Sequence, residues 1–137
     1  MKDKLKKMKT NIKVQEFKKP QDIKERTFLF AVKVLKFTQV IPNNKINSIL
    51  ITQLIRSSTS IGANIEEAQG GHTKSDFVHS VNIAKKEARE TFYRLRLIQE
   101  VNPIYAEKLS NLLKENEEII RILTTIVKNS KPRVFNP

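Results

Sequence analysis

The chain contains no cysteine and no tryptophan, and only three of its 137 residues are glycine. The lack of cysteine excludes disulfides and thiolate metal sites and fits a reducing cytoplasm, which is the compartment we expect. Few glycines and 7% aromatic residues favour helices over a β-sandwich. No run of 18 apolar residues occurs, so we expect no membrane-spanning segment. The basic N-terminus lacks the apolar stretch of a secretory signal.

Positive charge is the property that the sequence has in excess. The chain carries 26 Lys and Arg against 14 Asp and Glu, a net charge of +12. Such an excess attracts polyanions, chiefly nucleic acid, although it also serves solubility in an ordinary basic protein. Half of it lies in residues 1–26, and we interpret residues 1–20 as a basic arm. This arm offers few large apolar side chains to a bilayer, so we expect no membrane binding.

Four helical segments can be placed from their start and stop signals. Two of them follow a capping signal, at Asp22 and at Thr73, and the second helix starts near Asn44, after Pro42 and Asn43 break the first. The fourth follows Asn102, which we predict to be an N-cap because Pro103 suits the first helical position. Connections of two to five residues force sequential helices to lie antiparallel. We therefore predict an all-α, up-down-up-down four-helix bundle over residues 21–131, followed by a tail over 132–137.

Apolar side chains recur at helical spacing within each segment. In the second helix the predicted buried stripe comprises Ile46, Ile49, Leu50, Leu54, Ile61, Ile65 and Ala68. In the first helix, Phe28, Leu29 and Leu35 lie off the main stripe. Because exposed apolar patches commonly mark interfaces, they indicate a homo-oligomer.

Small and polar residues interrupt the second helix at a point where helix formers are expected. The predicted helix-packing motif comprises Ser57, Thr59, Ser60, Ile61, Gly62, Ala63 and Asn64. One interpretation is close packing of the second and third helices, through Ser57, Ile61 and Gly62 in the former. The other is a contact between subunits or with an RNA backbone.

The candidate nucleic-acid-binding side chains are mostly cations of the third helix. They are Arg56, Lys74, Lys85, Lys86, Arg89, Arg94 and Arg96. The alternative is a solvated face of ion pairs, since Lys86 and Arg94 each lie four residues from Glu90. Arg56 could likewise pair with Glu87 or Glu90.

Catalysis has no candidate residues in this sequence. Carboxylate-bridged metals in four-helix bundles use Glu-x-x-His motifs, and neither His72 nor His79 lies three residues after a glutamate. No Ser–His–Asp arrangement stands out either. We therefore expect a protein that is not an enzyme and that has no catalytic site, metal or cofactor.

Several segments together resemble one family of four-helix bundles. They are Arg56 to Ala68 (RSSTSIGANIEEA), Ser75-Asp76-Phe77, Ile83 to Thr91 (IAKKEARET), Phe92-Tyr93-Arg94-Leu95 and Phe30-Ala31-Val32. Over residues 22–131 the chain is similar to the 23S rRNA intervening-sequence proteins. Two positions depart from the family: Arg94 stands where tryptophan is frequent, and Ser58 where glycine is frequent.

The resemblance carries implications about assembly and partners. It implies a ring-like homopentamer that contacts nucleic acid, RNA rather than DNA, and has no established catalytic activity. Similar proteins serve as accessory factors to the reverse transcriptases of diversity-generating retroelements. The alternative function is accordingly an assembly or adaptor module that docks an acidic protein partner, such as a reverse transcriptase complex.

Overall fold

Four helices and one 3-10 turn make up the part of the chain that the structure describes, residues 22–130 of a computed structural model. The helices are α1 (Ile23–Thr38), α2 (Lys45–Gln69), α3 (Lys74–Val101) and α4 (Ala106–Ser130), and the 3-10 turn is Pro103–Tyr105. The basic arm predicted for residues 1–20 and the tail predicted for 132–137 lie outside the described residues.

The helices close into a four-membered ring of neighbours. Within the described range α1 packs on α2, α2 on α3, α3 on α4 and α4 on α1, whereas α1 and α3 lie diagonally across the bundle. The helices α2 and α3 are antiparallel. Asn47, near the start of α2, is hydrogen bonded to Asn102 at the end of α3, and Ser57, farther along α2, is hydrogen bonded to Thr91, which comes earlier in α3. This confirms the predicted all-α, antiparallel four-helix bundle.

Side-chain caps start three of the helices, at Asp22 and Thr73 as predicted and also at Asn44. A carboxylate oxygen of Asp22 accepts a hydrogen bond from the backbone N–H of Lys24, and Asn44 and Thr73 cap α2 and α3 in the same way. Each cap satisfies a backbone N–H that has no partner within its helix. Asn102 lies at the predicted N-cap position and Pro103 follows it as the first helical residue, but the element that begins there is a 3-10 turn ahead of α4, and the Asn102 side chain makes no capping bond.

The core is a single apolar cluster contributed by all four helices. Its most deeply buried large members are Phe30, Val34, Leu54, Ile61, Val81, Leu95, Ile98, Leu109, Ile119 and Leu123. The assignment of Ile46 and Ile49 to this core is wrong, because both side chains are exposed. Asn47 is buried in their place, since its amide finds hydrogen-bond partners inside the bundle.

Gly62 faces α1 and not α3, contrary to the interpretation from sequence. A Cβ built on Gly62 would lie 3.5 Å from Thr27 Oγ1, 3.6 Å from the Thr27 carbonyl carbon and 3.7 Å from the Phe28 nitrogen. These are ordinary van der Waals distances, so a methyl group fits. Larger side chains would meet the α1 backbone, which cannot move aside as a side chain can.

We therefore expect opposite effects from two substitutions of Gly62. Gly62→Ala should leave stability unchanged or raise it by up to ~1 kcal/mol, because alanine has the higher helix propensity. Gly62→Leu should lower it by about 1–3 kcal/mol through overpacking against α1. Urea unfolding of both variants at one protein concentration measures the difference. A loss of stability in the alanine variant would show that α1 and α2 approach each other more closely than these distances indicate.

Candidate nucleic-acid interface

Three polar side chains of the predicted packing motif form hydrogen bonds within α2 itself. The side chains of Thr59 and Ser60 donate to the carbonyls of Ile55 and Arg56, at 2.7 and 2.6 Å. The amide of Asn64 donates to the Ser60 carbonyl at 2.8 Å. Such back-bonding occupies the polar atoms without a second molecule.

The motif packs against two neighbouring helices with different residues. Ser57 is fully buried, and its hydroxyl is hydrogen bonded to that of Thr91 on α3, 2.9 Å away. Ile61 lies in the core, and Gly62 lies against α1. Ala63 is exposed, so packing does not extend to it. Sequence reasoning missed Thr91, although its place one helical turn after the buried Ala88 was a signal.

Two of the candidate cations belong to an ion-pair network between α2 and α3. The guanidinium of Arg56 lies 3.3 Å from Glu87 and 3.0 Å from Glu90. Arg94 lies 3.3 Å from the same carboxylate of Glu90, as predicted for its position four residues on. The predicted pair of Lys86 with Glu90 does not form among the described residues, where Glu90 pairs with the two arginines.

The network affects the ionisation of its members. Partial burial raises the pKa of Glu90, but hydrogen bonds from Arg56 and Arg94 outweigh that effect and hold the pKa below its usual value. The hydrogen bond to Glu90 and the charge of Glu87 also raise the pKa of Arg56. Arg56 and Arg94 are therefore charges already neutralised by the protein.

The remaining candidate cations of α3 lie away from this network. Lys85, Arg89 and Arg96 occupy one side of the helix, at positions i, i+4 and i+11, and we call them the basic stripe. Phe92 shares their face and is half-buried. Within residues 22–130, no carboxylate pairs with any member of the stripe, nor with Lys74 or Lys86. The stripe therefore presents charges that are available to an anionic partner.

Net charge is distributed unevenly between the bundle and the ends of the chain. Residues 22–130 hold 16 Lys and Arg and 12 Asp and Glu, a net charge of +4. The other +8 of the chain's +12 therefore lies in residues 1–21 and 131–137. The bundle is only mildly basic as a whole, so its attraction for phosphate depends on where the unpaired cations lie.

A shallow groove of about 390 Å³ separates α1 from α4. Phe37, Val40 and Leu112 line it, with lysines at positions 33, 36 and 108 around them. Farther along the same two helices, the buried guanidinium of Arg26 binds the carboxylates of Glu115, at 2.7 Å, and Glu118.

Two further features concern the described residues alone. Between residues 22 and 130, no three histidine or acidic side chains come together in a way that could hold a metal ion. No helix in that range is long and apolar enough to cross a membrane.

Comparison with known proteins places the chain in a family. The family model of the 23S rRNA-intervening sequence protein matches residues 19–125. The chain belongs to this family. The recognition from the motifs of α2 and α3 is thereby confirmed, and the match covers the bundle and little of the basic arm.

A solved structure supports the family assignment. It is a protein of unknown function from the S23 ribosomal protein family of Bacteroides thetaiotaomicron, with 34% sequence identity and a TM-score of 0.73. The similarity covers 78% of this chain and 99% of the other. A search of the curated proteins found no match.

Proposed function

We propose that this member of the 23S rRNA-intervening sequence protein family is a non-enzymatic, self-assembling cytoplasmic protein that binds RNA through phosphate contacts. The observation that carries the proposal is the basic stripe of Lys85, Arg89 and Arg96, which no carboxylate of the described residues neutralises. Cations on one face of a helix follow a phosphate backbone and release its counterions on binding. Because phosphates carry no base identity, binding should depend weakly on sequence.

Two further observations support RNA as the partner and an assembly as the binding form. The family is named for an insertion within 23S rRNA. The chain ends add +8 to a bundle of +4. Assembly, which we propose to be a pentamer because of the family resemblance, would present several stripes to one strand and raise the effective affinity.

A titration of labelled single-stranded RNA at two salt concentrations tests the proposal. Wild-type affinity should fall steeply with salt, by ~0.7 log units per tenfold salt for each phosphate neutralised. Lys85→Glu/Arg89→Glu should weaken binding at least tenfold and reduce the salt slope by roughly 1.4, because two phosphate contacts are lost. Deletion of residues 1–19 measures the contribution of the arm in the same assay.

The matched control is Lys108→Glu/Lys128→Glu, which reverses two exposed lysines of α4 outside the stripe and changes the net charge equally. If the control weakens binding as much as the stripe variant, the effect comes from net charge and the stripe is not the site. If deletion of residues 1–19 weakens RNA binding and the stripe variant does not, the binding site lies in the arm. No binding by the wild type at low salt would overturn RNA binding altogether.

The groove between α1 and α4 favours one alternative, an adaptor that docks an acidic protein. Its apolar floor and its lysines at positions 33, 36 and 108 suit an amphipathic helix with acidic flanks. Competition decides between the two functions. A short RNA should displace a bound acidic peptide only if both use the same cations, and the adaptor function stands if the peptide binds where RNA does not.

A further inference from the structure

Tyr93 is a large aromatic side chain of α3 that the bundle leaves uncovered. Its exposed fraction is 60%, and between residues 22 and 130 its side chain forms no hydrogen bond and no contact with another ring. Thr91 and Leu95, two residues to either side, are fully buried, and Thr91 is hydrogen bonded to Ser57 of α2 at 2.9 Å. Because these contacts fix the rotation of α3, the ring of Tyr93 is held toward solvent on a rigid helix.

Cations lie around this ring on the same side of α3. Arg89 precedes Tyr93 by four residues and Arg96 follows it by three, so the Cβ atoms of both lie about 5–6 Å from that of Tyr93. Lys86 lies two helical turns before Tyr93, next to Lys85 of the basic stripe. In the part of the chain that the structure describes, no carboxylate pairs with any of these four cations. The ring of Tyr93 therefore lies in the middle of cations that the bundle does not neutralise.

The carboxylates nearest to Tyr93 do not cancel this charge. Glu87 and Glu90 pair with the two arginines of the α2–α3 network. Glu117 of α4, the helix packed on the other side of α3, pairs with an arginine four residues along its own helix. Glu100, seven residues after Tyr93, is exposed and forms no ion pair with the described residues. It would repel a phosphate, so the positive surface extends from Tyr93 toward the start of α3.

An exposed aromatic ring among free cations suits an RNA strand whose bases are unpaired. The cations hold the phosphates, and the π-face of a base stacks on the aromatic ring, as in proteins that bind single strands. In a duplex the bases stack on one another, and the deep, narrow major groove of A-form RNA keeps side chains away from them. A duplex therefore offers this surface its phosphates and no base to stack.

We propose that Tyr93 is a base-stacking residue and that it makes the basic stripe a site for single-stranded RNA. The inference rests on the proposed RNA binding and specifies the form of RNA that the site takes. Arg89 and Arg96 lie on either side of the ring, about 10 Å apart along the helix axis, and contact the phosphates that flank the stacked base. Every base has a π-face, so stacking adds affinity with little dependence on sequence.

Titrations with three ligands test the proposal, namely a labelled single-stranded RNA, the duplex of the same sequence, and inorganic polyphosphate, which has no bases. Tyr93→Leu keeps an apolar side chain but removes the aromatic ring, and it should weaken binding of the single strand about tenfold. Its salt slope should equal that of the wild type, because no phosphate contact is lost. Binding of the duplex and of polyphosphate should not change. Tyr93→Phe is the matched control, and it should bind all three ligands like the wild type.

Tyr93→Trp provides a direct spectroscopic signal, because the chain contains no other tryptophan. The single strand should quench the fluorescence of the indole by stacking on it, whereas polyphosphate at saturation should not. Circular dichroism and a thermal melt should show that all three variants fold like the wild type, as expected for changes at an exposed position.

Three results would overturn base stacking. The first is single-strand binding by Tyr93→Leu that equals the wild type. The second is an equal loss of all three ligands in that variant, which would mean that the ring acts on folding or assembly. The third is quenching of the indole by polyphosphate as strong as that by RNA. Each of these leaves phosphate binding by the stripe standing, whereas a wild type that binds no RNA at low salt would overturn the proposed function itself.

Discussion

Replacing Arg26 with methionine should lower the free energy of unfolding by about 3 kcal/mol. The Arg26 guanidinium is almost fully buried between α1 and α4, with Nε 3.0 Å and one terminal nitrogen 2.7 Å from the two carboxylate oxygens of Glu115, and it also binds Glu118. The hydrogen bond to Glu115 is the main reason that the pKa of Arg26 is raised. Methionine fills similar space but leaves the partly buried carboxylate of Glu115 without its counter-charge. Urea unfolding at a fixed protein concentration measures the loss.

Arg121 provides the matched control for this substitution. Its guanidinium lies 3.1 Å from Glu117, but both side chains are well exposed. Arg121→Met should therefore cost no more than ~0.5 kcal/mol. Adding Glu115→Gln to Arg26→Met should recover part of the loss, because it removes the uncompensated charge. If Arg26→Met costs no more than Arg121→Met, the buried position of the ion pair does not matter to stability.

The sequence predicted those parts of the fold that depend on local chemistry. A cap such as Thr73 acts on a backbone N–H three residues away, and the apolar spacing of a helix involves only its own residues. The connections are short, so the order of helices around the bundle followed from their lengths. For the same reason the i,i+4 pair of Glu90 with Arg94 was foreseeable.

The parts of the fold that were not predicted depend on contacts between residues far apart in the sequence. The spacing of Ile46 and Ile49 is helical, but it does not reveal that Asn47 would satisfy its amide on Asn102, 55 residues away. Whether Gly62 faces α1 or α3 likewise depends on how α2 is rotated relative to its neighbours. Asn47 does lie seven residues before the buried Leu54, on the same helical face, and this was the available signal.

The candidate cations show the same difference between local and long-range information. The sequence identified all seven but could not distinguish neutralised charges from available ones, because pairing depends on which face of α3 meets α2. Arg56 and Arg94 turn toward Glu90, whereas Lys85 and Arg89 turn away from it. Arg26 escaped notice for a related reason, since its partners lie about 90 residues farther along the chain.

Replacing Asn47 with leucine should cost about 2–4 kcal/mol, although leucine is a strong helix former of similar size. The Asn47 amide donates to Asn102 at 2.9 Å and to the Pro42 carbonyl at 3.0 Å, and it accepts from Asn102 at 2.8 Å. The Asn102 amide also donates to the Ile98 carbonyl at 2.9 Å. The pair thus joins the α1–α2 connection to the end of α3. Leucine would leave the buried Oδ1 of Asn102 without a donor, and an unsatisfied buried group bears its full desolvation cost.

A double-mutant cycle with Asn102→Leu isolates the interaction between the two amides. The double variant should be more stable than the sum of the single losses implies, by about 1–2 kcal/mol, because neither partner is then left unsatisfied. Asn64→Leu is the control, since the half-buried Asn64 bonds only to its own helix, and it should cost under ~1 kcal/mol. Additive losses in the cycle would contradict a direct interaction between the two amides.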